Sequence, residues 1–227
     1  MAVCTTLSAA QIEKNMTDKI TPVLEATPVV PLVESDSPET ALKISKALIE
    51  GGLTVLEVVL RTDAAMECME YLAKELPDAH VGAGTVTTPE RAREVIARGA
   101  QFVVSPGLDP EVVKICQEAA IPILPGIATA TELTQAYNLG LRTVKFFPAG
   151  IIGGPKMLKA LTSVFQDVRF MPTGGVSAAN LPDFLEIPAV LACGGSWLTP
   201  KDAIAAGDFA AITAIAKEAV KIAQSVK

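Results

Sequence analysis

The chain of 227 residues contains a single histidine, His80. A Ser-His-Asp triad therefore has one candidate base, and a zinc site built on several histidines cannot be assembled. No metal site is expected. Cysteine is also sparse. Cys4, Cys68, Cys116 and Cys193 are separated by 64, 48 and 77 residues, so there is no C-x-x-C knuckle or redox pair. Cysteines scattered in this way, in a reducing compartment, read as small core hydrophobes. Basic runs are missing too. Lys plus Arg is 19 against 25 Asp plus Glu, for a formal charge of −6. No broad positive field is available to attract nucleic acid or an anionic membrane, so any bound anion must be held by local geometry. No apolar run approaches the roughly 20 residues that span a bilayer. The opening MAVCTTLSAAQIEKNMTDK is too polar for the core of a signal peptide. A cytoplasmic protein with no membrane partner is expected.

What is present is an alternation. Half of the residues are hydrophobic, enough for a substantial core. Short apolar runs ending in Gly, Pro or Thr loops are each followed by a stretch of helical period. The runs are PVVPLV (28–33), TVLEVVLR (54–61), HVGAGT (80–85), QFVVSPG (101–107), IPILPG (121–126), TVKFFPAG (143–150), RFMPTGG (169–175) and AVLACGG (189–195). Between them lie helix candidates such as PETALKISKALIEGG, PERAREVIARG and ATELTQAYNLG, with Ser, Thr, Asp or Pro at their starts and Gly near their ends. From Asp208 to Val226, Phe209, Ile212, Ile215, Ala216, Ala219 and Ile222 share one helical stripe. Strand-end landmarks recur at Thr85, Ser105, Pro125 and Lys145, each 20 residues after the last. Eight strand–helix alternations point to one (β/α)8 TIM barrel over 28–227, preceded by an N-terminal extension or short helix over 1–27. The alternative is a doubly wound open sheet. It lacks a strand followed by G-x-G-x-x-G and a ribose-binding acid.

In a barrel the chemistry sits at the carboxyl ends of the strands. Alternation along TVLEVVLR puts Glu57, Val59 and Arg61 on one face and the aliphatic Leu56, Val58 and Leu60 on the other. The aliphatic face should meet the helices, which turns Glu57 and Arg61 inward. An interior carboxylate must be paired, hydrogen-bonded or protonated. A purely structural Glu–Arg bridge would satisfy that equally well. In TVKFFP, Lys145 and Phe147 share the inward face. Desolvation disfavours an ammonium relative to the free amine, and a free amine can attack a ketone to form a Schiff base. The competing reading is a buried lysine that only neutralises Glu57.

Two glycine pairs follow the last two strands: Thr173-Gly174-Gly175 and Gly194-Gly195-Ser196. Loops in these positions present backbone N–H groups to a phosphate, and Ser196 adds a hydroxyl. Thr85, ending strand 3, can bind a substrate carboxylate. The SPG at 105–107 and LPG at 124–126 read as loop punctuation. His80 falls at the amino end of its strand, away from the site, and Trp197 should pack beside the strand 8 loop.

Taken together, LEVVLRT (56–62), VGAGTV (81–86), SPG (105–107), PGIAT (125–129), VKFFPA (144–149), PTGGV (172–176) and GGSW (194–197) resemble the 2-keto-3-deoxy-6-phosphogluconate (KDPG) and 4-hydroxy-2-oxoglutarate (KHG) aldolase family. The resemblance runs from about Pro28 to the C-terminus and covers all eight strands in order. It implies a class I, Schiff-base aldolase of the Entner–Doudoroff pathway, commonly a homotrimer, with no cofactor. Its substrate would be a phosphorylated 2-keto acid, and pyruvate a product. By this match Lys145 is the Schiff-base lysine and Glu57 the general acid/base. Arg61, Thr85 and Phe147 are substrate contacts, and Thr173, Gly174, Gly175, Gly194, Gly195 and Ser196 form the phosphate site. Two segments depart from the family's pattern. VESDSPETA, after strand 1, lacks a basic residue for the distal end of the substrate, and the loop AGIIGGP, after the strand carrying Lys145, has a different form. Both bear on substrate preference, not on the lysine chemistry.

Two other readings stay open at this stage. One is a phosphate-binding barrel isomerase or epimerase using Glu57 as base without a covalent lysine. The other is a non-catalytic, assembly-forming barrel scaffold.

Overall fold

A computed structural model describes residues 19–226. Most of the expected N-terminal extension, including Cys4, lies outside the described residues. Residues 19–26 are helical (α1) and lead into β1 (Val29–Val33). Then strands and helices alternate: α2 (Pro38–Glu50), β2 (Val55–Val59), α3 (Ala65–Glu75), β3 (His80–Gly84), α4 (Pro89–Ala97), β4 (Val103–Val104) and α5 (Pro110–Glu118). They continue with β5 (Ile123–Leu124), β6 (Gly126–Ile127), α6 (Ala130–Asn138), β7 (Thr143–Phe146), α7 (Gly154–Val164) and β8 (Arg169–Pro172). The chain closes with α8 (Leu181–Leu185), β9 (Cys193–Gly195), α9 (Lys201–Ala206) and α10 (Phe209–Gln224).

Five of the helices start where the caps predict. Ser37, Thr88, Asp109 and Asp208 each accept a bond from a first-turn backbone N–H, and Thr129 with Glu132 forms a reciprocal capping box. α8 and α9 are short additions that the periodicity does not announce.

All strand pairs are parallel. They form a half-barrel α/β fold as a six-stranded sheet, β5-β4-β3-β2-β1-β9, and a three-stranded sheet, β6-β7-β8. The one run read as strand 5 is split at Pro125. Proline has no N–H to give to the ladder, so β5 pairs with β4 while β6 pairs with β7. Pro125 still uses its carbonyl, which accepts from the Lys145 N–H at 2.9 Å.

Two apolar layers follow from strand alternation. Leu56, Val58, Leu60, Val144 and Phe146 join the helices in the larger cluster. Val30, Val55, Phe102, Val104, Leu124 and Met171 make the smaller cluster on the other face, where Ile20 and Leu24 of α1 also pack. Gly82 belongs to this layer, since a Cβ there would run into the Phe102 ring. Cys68, Cys116 and Cys193 are buried, as expected of core residues. Burial pushes the Cys68 thiol up to about 11 and the Cys116 thiol to about 12, which keeps both protonated and unreactive near neutrality. Among the described residues no helix is long and apolar enough to cross a membrane.

Candidate active site

The carboxyl ends of the strands enclose a cleft of about 140 Å³. Its walls carry Arg61, Thr85, Lys145, Phe147, Thr173 and the glycine pairs with Ser196, every residue expected at the site except Glu57. Five strand ends far apart in sequence supply them, because parallel strands bring each carboxyl end to the same side.

Glu57 lies directly behind the cleft. Its side chain is fully buried, and Oε1 stands 3.6 Å from Lys145 Nζ, itself 6% exposed. Neither carboxylate oxygen of Glu57 has a hydrogen-bond partner. A buried carboxylate held by one ion pair, with its lone pairs unspent, is costly to maintain. The space for it comes from β3: a Cβ at Gly84 would overlap the Glu57 carboxyl group. The G-A-G spacing puts Gly82 and Gly84 on one strand face. Glycines two apart in a strand signal a close approach by something opposite, a cue in VGAGT that the sequence reading left unused.

Lys145 sits on β7 with its N–H bonded back to Pro125. The Phe147 ring, one residue past the strand end, lies 5.1 Å from Nζ and offers its face to the ammonium. Thr85, the residue just past β3, has φ 63, a region that β-branched residues rarely enter. Backbone strain of this kind costs on the order of 1–3 kcal/mol and collects at functional sites. The two phosphate-loop candidates meet here as well. Gly174 and Gly175 adopt φ 85 and 81, and Gly175 packs against Gly150 so tightly that a side chain at either position would press on the other's backbone. Gly194 leaves room for the Thr173 hydroxyl, and Gly195 for the Trp197 ring.

Arg61 departs from the expectation. β2 ends at Val59, the Arg61 N–H turns back to the Val59 carbonyl, and alternation stops there. Its side chain is half exposed at the rim of the cleft, where it pairs with Glu34 and not with Glu57. The partner of Glu57 is Lys145. Pro106, read as loop punctuation, lines the cleft, as do Leu32 and Val176. Pro106 and Val176 are apolar loop residues, which leave no periodic trace, and Leu32 in β1 is one aliphatic residue of an aliphatic run, so no sequence signal marked them. His80 is exposed at the amino end of β3, as expected.

Comparisons with known proteins bear on the family and the fold. The "KDPG and KHG aldolase" family model matches residues 20–215. The 2-dehydro-3-deoxy-phosphogluconate aldolase of Dickeya dadantii (strain 3937) is 48% identical over 207 residues, covering 91% of this chain and 97% of that protein. The KDPG aldolase of Legionella pneumophila, solved with pyruvate captured as a covalent carbinolamine intermediate, superposes with a TM-score of 0.85 at 41% identity, covering 88% of this chain and 97% of that one. The 2-keto-3-deoxy-6-phosphogluconate aldolase of Zymomonas mobilis ZM4, solved with 3-phosphoglycerate, gives 0.84 at 43% identity, with 90% and 95% covered. With a cleft that unites a buried lysine and carboxylate, and relatives matched over nearly their whole length, this chain belongs to the KDPG and KHG aldolase family of lyases.

Proposed function

We propose that this chain cleaves 2-keto-3-deoxy-6-phosphogluconate to pyruvate and glyceraldehyde 3-phosphate through an imine on Lys145, and acts also on 4-hydroxy-2-oxoglutarate. The observation that carries this is the buried Lys145–Glu57 pair, 3.6 Å apart, with Lys145 in the cleft wall and Glu57 behind it. The captured pyruvate adduct in the Legionella relative is the chemistry such a lysine performs.

The steps follow from the two groups. Lys145 Nζ attacks the C2 ketone, and Glu57, through a water, moves protons as the carbinolamine loses water to an imine. The protonated imine is the electron sink. Glu57 takes the C4 hydroxyl proton, the C3–C4 bond breaks, and its electrons pass into an enamine while the aldehyde leaves. Glu57 returns the proton to C3, and water hydrolyses the pyruvate imine to free Lys145. Phe147 shields the nitrogen from solvent on one side. Arg61 and Thr85 are placed to hold the substrate's keto-acid end, and the Thr173–Gly175 and Gly194–Ser196 loops its phosphate. The direct test is pyruvate release from each of the two substrates.

The phosphate assignment has its own test. Ser196→Asp sets a negative charge against the phosphate and should raise KM for the phosphorylated substrate at least about tenfold, or roughly 1.4 kcal/mol of binding. The Zymomonas relative's 3-phosphoglycerate supports a phosphate-bearing ligand. Equal efficiency on KHG and KDPG would count against the assignment.

The fold reading extends in the same way. The two sheets would close into a (β/α)8 barrel over 28–227, following the extension at 1–27. This is supported by β5 running into β6 through Pro125 and by the parallel bridges Phe170–Val190 and Thr173–Gly194, which join the β8 and β9 segments. A cytoplasmic homotrimer in the Entner–Doudoroff pathway completes the proposal. Sedimentation at micromolar concentration should give a species of three chains of 23.7 kDa, and a single monomeric species would exclude it.

A further inference from the structure

The loop Thr173–Gly175 is flexible by composition. Gly174 and Gly175 both stand in the left-handed region, and glycine loses more conformational freedom than any other residue when it is held in one state. Two carbonyls of the loop are tied down. The Gly174 carbonyl accepts from the Gly150 N–H at 2.8 Å, and the Gly175 carbonyl accepts from Asn180 Nδ2 at 2.9 Å. Asn180 Oδ1 in turn accepts from the Ser177 N–H at 2.8 Å. The side-chain amide thus bridges two backbone groups on either side of Val176, and the donor and acceptor it meets fix which way it is turned.

Asn180 does this in place of its ordinary work. It stands immediately before α8, where an asparagine commonly accepts from the N–H groups of the first helical turn, yet its side chain makes no such bond. In a trans peptide the carbonyl and the N–H point in opposite directions within one plane. Holding the Gly174 and Gly175 carbonyls on one side therefore turns the Gly175 and Val176 N–H groups to the other. Neither N–H has a hydrogen-bond partner among the described residues. Gly175 and Val176 line the cleft together with Ser196, while Gly150 and Asn180 stand outside its wall. Successive unpartnered N–H groups turned toward a cleft by a fixed backbone suit an anion.

We propose that the Val176 N–H is a further donor of the phosphate site and that Asn180 is the residue that positions it. Asn180 acts through the Gly175–Val176 peptide and touches neither the phosphate nor the reacting atoms. Without its amide that peptide is free to rotate, which withdraws the donor and leaves the lysine pocket as it was. The proposal rests on the aldolase reading and the phosphate assignment above.

The test is cleavage of KDPG and of KHG, which has no phosphate, by the wild type, Asn180→Ala and Asn180→Asp. Inorganic phosphate serves as an inhibitor, and borohydride trapping of pyruvate counts competent sites. Asn180→Ala removes both side-chain bonds, and Asn180→Asp keeps the acceptor for Ser177 but loses the donor to Gly175. Each should raise KM for KDPG by about three- to tenfold, the range of one or two neutral hydrogen bonds, and the inhibition constant of phosphate by a similar factor. KM for KHG, and kcat per trapped site for both substrates, should stay within about twofold of the wild type. Asn180→Ala adds no charge, so its effect should persist at high salt. Should that variant trap no pyruvate, Asn180→Asp measured at high salt decides the matter. An unchanged KM for KDPG, or an equal rise for both substrates, would overturn the proposal. A wild type that phosphate does not inhibit and that uses KDPG no better than KHG would instead overturn the phosphate assignment. One that releases pyruvate from neither substrate would overturn the aldolase reading.

Discussion

Replacing Lys145 by alanine should abolish both pyruvate release and borohydride trapping of pyruvate on the protein. The nucleophile is lost, and no neighbouring amine takes its place: among the described residues no other lysine lines the cleft. The substitution has a second effect that must be separated from the first. Glu57 is fully buried and its ion pair is with Lys145, so truncation leaves an uncompensated interior charge. Breaking a buried pair from one side typically costs about 3–5 kcal/mol. Loss of activity from Lys145→Ala could then reflect unfolding. Lys145→Arg provides the control, since it keeps a cation beside Glu57 yet cannot form an imine. Both variants should trap no pyruvate by intact mass, and the arginine variant should retain the far-UV spectrum of the wild type. Peptide mapping of the wild type should place the label on Lys145. A label on another lysine would show that the nucleophile is misassigned.

Glu57→Gln should slow turnover by roughly 10²–10⁴-fold, the usual worth of general acid–base catalysis, while leaving slow trapping measurable. The amide has nearly the volume of the carboxylate, so the space opened by Gly84 still fits it. It cannot take a proton from the C4 hydroxyl or return one to the enamine, so the bond-breaking step and the release of pyruvate both suffer. Imine formation depends on Glu57 less strictly, because water can carry those protons. Single-turnover trapping with pyruvate against steady-state cleavage of KDPG separates the two. Turnover within tenfold of the wild type would remove Glu57 from the proton-transfer role. This variant and Lys145→Arg should thus differ in kind: one traps and turns over slowly, the other does neither.

Much of this site was legible in the linear chain because β-structure has a short period. In TVLEVVLR and TVKFFP, a polar residue interrupts an aliphatic run on one face only, and that is enough to place Glu57 and Lys145 inside. The same rule failed at Arg61, since it holds only while the strand lasts and β2 ends at Val59. It could not find the Arg61–Glu34 pair either. The two residues follow different strands, and no local pattern connects them.

The sequence by itself determined the order of strands and helices, the burial of Cys68, Cys116 and Cys193, the inward placement of one lysine and one glutamate, and the family. Each of these depends on residue type and near-neighbour periodicity, which are local properties. Only the tertiary structure decided which cation faces Glu57. Lys145 and Arg61 were both candidates, and the choice turns on where β2 stops and how β3 thins at Gly84. It also decided that Arg61 faces Glu34 across the rim. Distances between strands depend on register and on the packing of every intervening side chain, and those are set by the whole chain at once.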